Sequence, residues 1–567
     1  MKPNGLKRLV VCAVLVLAAV STATAQKITN QQKIADQRIA DLIREAALRA
    51  SVEPTTAATP PSAQTMAGQR DRPLVRLTLD DAIKLALDRN LDISVQRLNP
   101  QTFDFSLASL RAVYRPTLIS TISRQSQTNP STSTISGAAV GTGIINGTTT
   151  YNGGLSQSLP WGGGSFSATL NNDRRTTTNT TALINPSFSA NWSATYTQPL
   201  LRNFKIDNTR QQLVVTRLNQ DISEIQLQAT IINTVSNVRN AYWDYVFAVQ
   251  SVDVARRSVA LAEQLVRDNQ TRVEVGTMAP IDVIQAQSQA ATQRQNLAIA
   301  EGTRRTNELV LKRLIVSGTQ DPTWSGAIDP IDRPAFEAQT VDVTAAVRRA
   351  LEVRTDLAQV RKNLEVNDVT LKLLTNQTLP QVDFSARYGL VGQGGTQFIS
   401  SGSGINRVVT GTIPGGYSNA LSTLFDRNYP TWNLGISVSY PIGTSVQDAS
   451  LARARLQASQ VDAQLRQIEL QIATDVTNAA TQVQNNVERV QAAQAAREFA
   501  QKQLEAEQSK FEVGMSTNYF VVQSQRDLAT AQNNELSAIL AYRRSVVELE
   551  RLQQTSTSSA NITILGR

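Results

Sequence analysis

Two periodicities take turns along the chain. After Leu77-Thr78-Leu79-Asp80-Asp81, apolar Ala82, Leu85, Ala86, Leu87 and Leu91 recur at helical spacing, and Thr78-x-x-Asp81 has the shape of a capping box. From Tyr114 the period becomes two. It is cleanest in the second half, where Val382, Phe384, Ala386, Tyr388 and Leu390 alternate with Gln381, Asp383, Ser385 and Arg387. Trp432, Leu434, Ile436, Val438 and Tyr440 likewise alternate with Asn433, Gly435, Ser437 and Ser439. Each run is about ten residues, the length of a tilted transmembrane strand, and its apolar set carries Trp or Tyr as an interfacial aromatic belt would. Taken alone, such strands suit a soluble sandwich with one wet face equally well. Between them, Val391 to Pro430 is rich in Gly, Ser, Thr and Asn and predicts a long exposed loop. The first half has a matching pair, Pro116 to about Ser123 and the run through Trp192, Ala194 and Tyr196. Inside that pair, Leu155 to Leu159 and Phe166-Ala168-Leu170 flank Pro160-Trp161-Gly162-Gly163-Gly164. This second hairpin belongs either to an extracellular loop or to the membrane sheet.

Each strand pair gives way to a very long helical pattern. From about Asp207 to Arg272 no Gly or Pro interrupts apolar spacings of three and four, and the same holds from about Val446 to Phe511. At 1.5 Å per residue each helix would reach roughly 100 Å. Both stop at the same phrase. Val273-Glu274-Val275-Gly276-Thr277-Met278-Ala279-Pro280-Ile281-Asp282 returns as Phe511-Glu512-Val513-Gly514-Met515-Ser516-Thr517-Asn518-Tyr519-Phe520, after which a second helix runs back to about Leu314 or Gln554. Leu77–Ala82 pairs with Val341–Ala346, Arg115-Pro116 with Leu379-Pro380, and Trp192…Pro199 with Trp432…Pro441, always in the same order. A separation of roughly 240–265 residues is too long for a solenoid unit, so it predicts a tandem duplication of large modules. The modules are 76–316 (strands about 115–200, hairpin about 207–315) and 341–555 (strands about 379–442, hairpin about 446–554). A linker, 317–340, joins them, and 556–567 is a tail.

The N-terminus alters where these modules are expected to work. Lys2, Lys7 and Arg8 precede an apolar run, Leu9 to Val20, and Ala23-Thr24-Ala25 offers a cleavage site, so 1–25 reads as a secretion signal. The 26–75 segment reads as a short helix and a Pro/Thr-rich linker. Cys12 would leave with the signal, and no other cysteine follows; there is no histidine in 567 residues. Histidine- and cysteine-based nucleophile systems and histidine metal sites are therefore excluded, no carboxylate pair is placed in a cleft, and neither an enzyme, a cofactor nor a metal is expected. The net charge of +9 includes the three basic residues of the signal; spread over so long a chain, it predicts no nucleic-acid partner.

In its repeat order, its strand-exit prolines Pro199 and Pro441 and its Val-Gly hairpin turns, the chain from about Leu77 to Gln554 resembles the TolC-type outer-membrane efflux proteins. The resemblance implies an internally duplicated α+β membrane protein. An outer-membrane β-barrel shared between protomers, with four strands from each or more if the second hairpin joins, would stand in outer-membrane lipid above a long antiparallel coiled-coil α-helical barrel in the periplasm. Physics agrees that four strands cannot close a barrel alone and that open edges are not tolerated in lipid; the number three comes from the resemblance. It further implies a homotrimeric, gated, passive exit duct for a tripartite efflux or type I secretion system, partnered by a periplasmic adaptor and an inner-membrane pump. Adaptor docking would fall on Val275, Gly276, Thr277, Val513, Gly514 and Met515. A gate just beyond would use Asp282, Gln285, Gln523, Arg526 and Asp527, with Phe520 as an apolar plug; the paired aspartates of some family members are replaced by Phe520 and Gln523. Trp192, Tyr196, Tyr388, Trp432 and Tyr440 would form the aromatic belt. The competing expectation is an exported structural or adhesive coiled-coil protein with a β head.

Overall fold

The computed structural model describes residues 73–130, 137, 142–333, 336–402 and 408–555. The secretion signal, nearly all of the 26–75 extension and the tail lie outside the described residues.

The first half runs β1 (Leu74–Leu77), α1 (Leu79–Arg89), α2 (Leu91–Ala112), strands β2 (Thr117–Pro130), β3 (Gly143–Ser158), β4 (Ser165–Thr177) and β5 (Ile184–Pro199), then α3 (Asn208–Glu274) and α4 (Pro280–Ile315). After α5 (Pro322–Ser325) and β6 (Ala327–Pro330), the second half runs α6 (Val343–Val353), α7 (Thr355–Gln377), β7 (Gln381–Ser401), β8 (Val408–Ile413), α8 (Tyr417–Phe425), β9 (Pro430–Ser439), α9 (Val446–Glu512) and α10 (Asn518–Leu552). Corresponding helices match in length. The long helices α3 and α9 are 67 residues each, and their return helices α4 and α10 are 36 and 35.

Local chemistry sets the starts of these helices. The Thr78 hydroxyl accepts from the Asp81 amide at 3.1 Å, as its spacing predicts, and Asp342 accepts from the Thr344 and Ala345 amides to open α6. Ser445 and Asp448 form a reciprocal capping box on α9, which frees a 67-residue helix from unsatisfied first-turn donors.

One core gathers α1, α3, α4 and β6 around Tyr242, Tyr245 and Leu311, and a second gathers α6, α9 and α10 around Ile472, Val476 and Tyr542. The Tyr242 hydroxyl donates to the Asp332 carboxylate at 2.8 Å, and that of Tyr245 donates to the Ile328 carbonyl. Burial pushes the Tyr245 phenol up to about 12, so it remains a neutral donor that ties the midpoint of α3 to the short parallel β1–β6 pair. Lys312, 2% exposed, pairs with Glu308 and donates to the Trp324 and Gly326 carbonyls, which satisfies a buried charge.

The large sheet is antiparallel throughout, in the order β2-β3-β4-β5-β7-β9, with short β8 also on β7. The hairpin whose place the sequence leaves open is therefore inside the sheet. β3 and β4 pair along their lengths with each other and with β2 and β5, giving six long strands rather than four. Two further expectations change. The first strand extends past Ser123 to Pro130. The stretch after Val391 is not a plain loop: β7 continues to Ser401, and β8 and α8 follow. Helix α8 packs Ala420 and Leu424 against Ala190, over two glycines of β7, Gly392 and Gly394, where any Cβ would meet the helix backbone at 2.0 and 2.5 Å. Its seat is tertiary, set by residues some 25 positions away, and no short-range pattern announces it.

The helices beside the sheet form a row in the same lateral order. α2 packs on α3, α3 on α7 and α7 on α9. α2 feeds β2, β5 feeds α3, α7 feeds β7 and β9 feeds α9. Further along, α3 packs on α10, and each long helix packs on its return helix.

Candidate functional site

Two regions can act on a solute or a partner: the tips of the helical hairpins and the two faces of the sheet.

At each tip the long helix ends on a glycine in the left-handed region, Gly276 at φ 77° and Gly514 at φ 76°. The Gly276 amide donates to Val273 at 3.0 Å and the Thr277 amide to Arg272 at 2.9 Å. The Met515 amide donates to Lys510 at 2.8 Å in the same pattern. These are paired Schellman closures, and they leave the flanking apolar side chains in water. Val275 is 72%, Val513 70% and Met515 79% exposed, with Thr277 exposed beside them. The two tips touch. Leu265 and Ala286 of the first hairpin share a small core with Leu504, Phe511, Val521 and Leu528 of the second, and the Arg272 guanidinium lies 4.4 Å over the Phe511 ring. Beside this contact runs a groove of about 490 Å³ lined by Leu261, Asp268, Arg272, Gln508, Phe511 and Gln525.

The gate candidates lie one to three turns above the tips and divide into separate contacts. Gln523 donates to Asp527 at 2.9 Å along α10, whereas Arg526 crosses to α4 and donates to Gln289 at 2.7 Å. The Asp282 carboxylate has neither ion pair nor hydrogen bond within the protomer among the described residues; it is the Asp282 carbonyl that accepts, from Asn518 at 3.3 Å. Gln285 is exposed, and Phe520, also exposed, makes an edge-to-face contact with Tyr519.

A buried polar link between the hairpins was not foreseen. Fully buried Asn269 of α3 donates to Asn518 of α10 at 2.9 Å. A signal existed in the repeat itself. Asn518 stands where the first copy has Pro280, and Asn269 stands where the second has Glu507, which instead accepts from Ser516 at 2.8 Å.

The sheet is amphipathic by register. One face carries Leu118, Leu155, Ala168, Ala194, Tyr388 and Trp432 in a single cross-strand row, with Trp192, Leu170 and Leu390 in the next. On β9 this face is bare: Trp432, Leu434, Ile436 and Val438 are each more than 60% exposed. The opposite face carries Thr117, Ser156, Ser167, Thr195, Arg387 and Asn433 in one row, and Thr121, Asn152, Asn171 and Asn191 in another. Trp192, Tyr388 and Trp432 cluster at one level of the apolar face, with the Trp192 and Tyr388 rings 6.3 Å apart. Tyr196 and Tyr440 lie toward the helical end, Tyr440 just past β9. Trp432 to Tyr440 spans about 27 Å along the strand, comparable to the apolar band of a membrane barrel. Exposed Phe425 and Tyr429 extend the upper group. No helix among the described residues is long and apolar enough to cross a membrane, which says nothing of the sheet.

A sheet with one lipid-like face, joined to long helical hairpins with exposed tips, is the architecture of a membrane protein of the β-sheet class with a helical extension. The comparisons with known proteins place it further. Residues 165–316 and 346–553, together more than half the chain, match the outer membrane efflux protein family, and the chain belongs to that family of transport proteins. No curated protein matches the chain. Among solved structures it is similar to CusC (15% identity, TM-score 0.61, covering 88% of this chain and 98% of that one). It is also similar to the CmeC outer membrane channel of Campylobacter jejuni (14%, 0.59, 86% and 90%) and to VceC of Vibrio cholerae (15%, 0.57, 84% and 95%). At these identities the likeness carries the fold.

Proposed function

We propose that the chain is one subunit of a homotrimeric outer-membrane duct, the passive exit of a tripartite efflux or type I secretion machine. The observation that carries this reading is a pair of matched open flanks. Among the described residues β2 and β9 end the run of long strands with unpaired edges, and α2 and α9 end the helix row beneath them in the same order. Open edges beside an apolar face are not tolerated in lipid, so each copy needs neighbours. With six long strands β2 and β9 run in opposite directions, so the antiparallel alternation continues unbroken from copy to copy. The same joint would extend the helix row into a tunnel. Matching element lengths in the two halves, and a family match in each, support a tandem duplication.

The exposed Val275, Val513 and Met515 give the tips an apolar surface that suits docking onto the helices of a periplasmic adaptor. The residues above them, Asp282, Gln285, Phe520, Gln523, Arg526 and Asp527, would then narrow the tunnel, and adaptor contact would shift the hairpins toward an open packing. An inner-membrane pump supplies the energy.

Thiol cross-linking tests the assembly. A Thr117→Cys, Asn433→Cys double variant places one thiol on each open edge, on the polar face. A short bismaleimide should convert it to a covalent trimer that requires detergent for extraction. Monomer alone after cross-linking, with extraction in plain buffer, would instead favour an exported coiled-coil surface protein.

A further inference from the structure

We infer that the exit lumen of this protein is an eighteen-stranded, charge-balanced bore that passes bulky hydrated solutes by size, without selecting on the sign of their charge. This rests on the trimeric duct proposed above and adds what the wall is made of and how wide it is.

Width follows from β3 and β4. They are full members of the sheet, not a loop ornament, and the turn between them is built in at the helical end. Gly162 and Gly163 take φ values of 65° and 67° in succession, the conformation of a tight hairpin turn. The Gly162 carbonyl accepts from the buried Gln198 side chain at 2.6 Å, and a Cβ on Gly163 would stand 2.5 Å from the Asn203 carbonyl. The hairpin is thus clamped to the segment that leads from β5 into α3. β3 precedes the stretch matched to the family and β4 opens it.

Six strands are close in width to the helix row beneath them. Four helices per copy, α2, α3, α7 and α9, at about 9 Å spacing occupy about 36 Å of circumference. Tilted strands take about 6.3 Å each around a rim, so six occupy about 38 Å and four about 25 Å. With six, barrel and tunnel meet at nearly equal girth. Six strands from each of three copies make eighteen, and such a barrel measures about 36 Å between opposite backbones, against about 24 Å for twelve.

The wall chemistry follows from register. On the polar face, from the row of Asp383 to that of Gly395, nearly every position is Ser, Thr, Asn, Gln or Gly. The charged residues there are two acids, Asp173 and Asp383, and two arginines, Arg175 and Arg387. Asp173 and Arg175 neutralise each other at 2.8 Å. Two acids against two arginines leave the wall without net charge, and each acid has an arginine two to four residues along its own strand, so the wall offers little net field to draw in one ion class.

Single thiols in a Cys12→Ser background test this in intact cells. Ser193→Cys faces the lumen, and Ala194→Cys faces lipid. Externally added maleimide-polymers of increasing mass should label Ser193→Cys up to a size cutoff, and deletion of residues 143–177, which leaves β2 and β5 to pair, should lower that cutoff. Cationic and anionic thiol reagents of equal size should label Ser193→Cys at rates within about twofold. An unchanged cutoff, or a charge preference above about tenfold, would overturn the inference while leaving the duct intact. If the deletion does not assemble, electron cryomicroscopy of the full-length trimer decides: eighteen strands support the inference and twelve refute it. Equal labelling of Ser193→Cys and Ala194→Cys would mean that no lipid covers the apolar face, and the duct reading itself would fail.

Discussion

At the scale of single residues, Gly276 and Gly514 separate backbone conformation from packing. Both have positive φ, and neither has an atom within 4 Å of the place a Cβ would occupy. Gly514→Ala should therefore cost only the left-handed penalty, about 1–2 kcal/mol, felt locally as faster hydrogen exchange at 513–517. Gly514→Asn should cost less, since Asn tolerates that region; equal exchange in both variants would refute the argument. Asn269 is different in kind. Asn269→Ala leaves Asn518 short of a buried partner and should loosen the α3–α10 contact by about 1–3 kcal/mol, read as earlier thermal separation of the tips by paired spin labels. The glycines were legible in the sequence because a repeated Val-Gly between two helical runs has one cheap explanation. The asparagines were not, because a polar residue in a long helix is ordinarily solvated, and a difference between the two copies marks Asn269 without telling that it faces another hairpin.

Elements divide along the same line. The long helices were read to within about two residues at their ends, because an uninterrupted 67-residue periodicity bounded by caps leaves little choice. The sheet faces were legible from alternation, but strand number was not, since Gly- and Thr-rich β3 alternates weakly and its pairing depends on β2 and β4. Helix α8 was invisible for a related reason, and it yields a prediction. Gly392→Ala would place a methyl 2.0 Å from the Ala420 carbonyl, so α8 should lift from the sheet and become open to protease in intact cells, whereas Gly416→Ala, with free space around it, should not have this effect. The second tip carries a pH dependence. Hydrogen bonds from Lys510 and Ser516 hold the Glu507 carboxyl below its ordinary value of 4.5. A lowered acid stabilises the fold above that ordinary value and ceases to do so as pH falls through the lowered one. A spin label at Thr517→Cys should stay immobile at neutral pH and gain mobility on acidification below 4.5. With Glu507→Gln it should be mobile throughout, and a pH-independent spectrum in the parent would contradict the assignment.

At the scale of the whole molecule, the helix row and the sheet share one lateral order and the same two open flanks, so one closure completes both. In the proposed trimer that would leave the tips as the free end where flow is controlled without disturbing the membrane barrel. Within one protomer the gate candidates do not form a closed network: Asp282 has no side-chain partner, Gln523 is bound along its own helix, and Arg526 holds α10 to α4 through Gln289. Gln285, Arg526 and Asp527 are exposed and Asp282 and Gln523 half-buried, so in the proposed trimer their remaining hydrogen-bonding capacity would be open to neighbouring copies. Arg526→Ala removes one of the contacts that hold the second hairpin against the first. Asp282→Ala and Gln523→Ala remove groups available to a neighbour. In planar bilayers, purified trimers of all three variants should conduct more than the parent in the resting state, and Arg526→Ala should also lower the thermal stability of the hairpin pair. Unchanged resting conductance in both Asp282→Ala and Gln523→Ala would move the constriction elsewhere, and the exposed Tyr519–Phe520 pair at the tip would be the next place to probe.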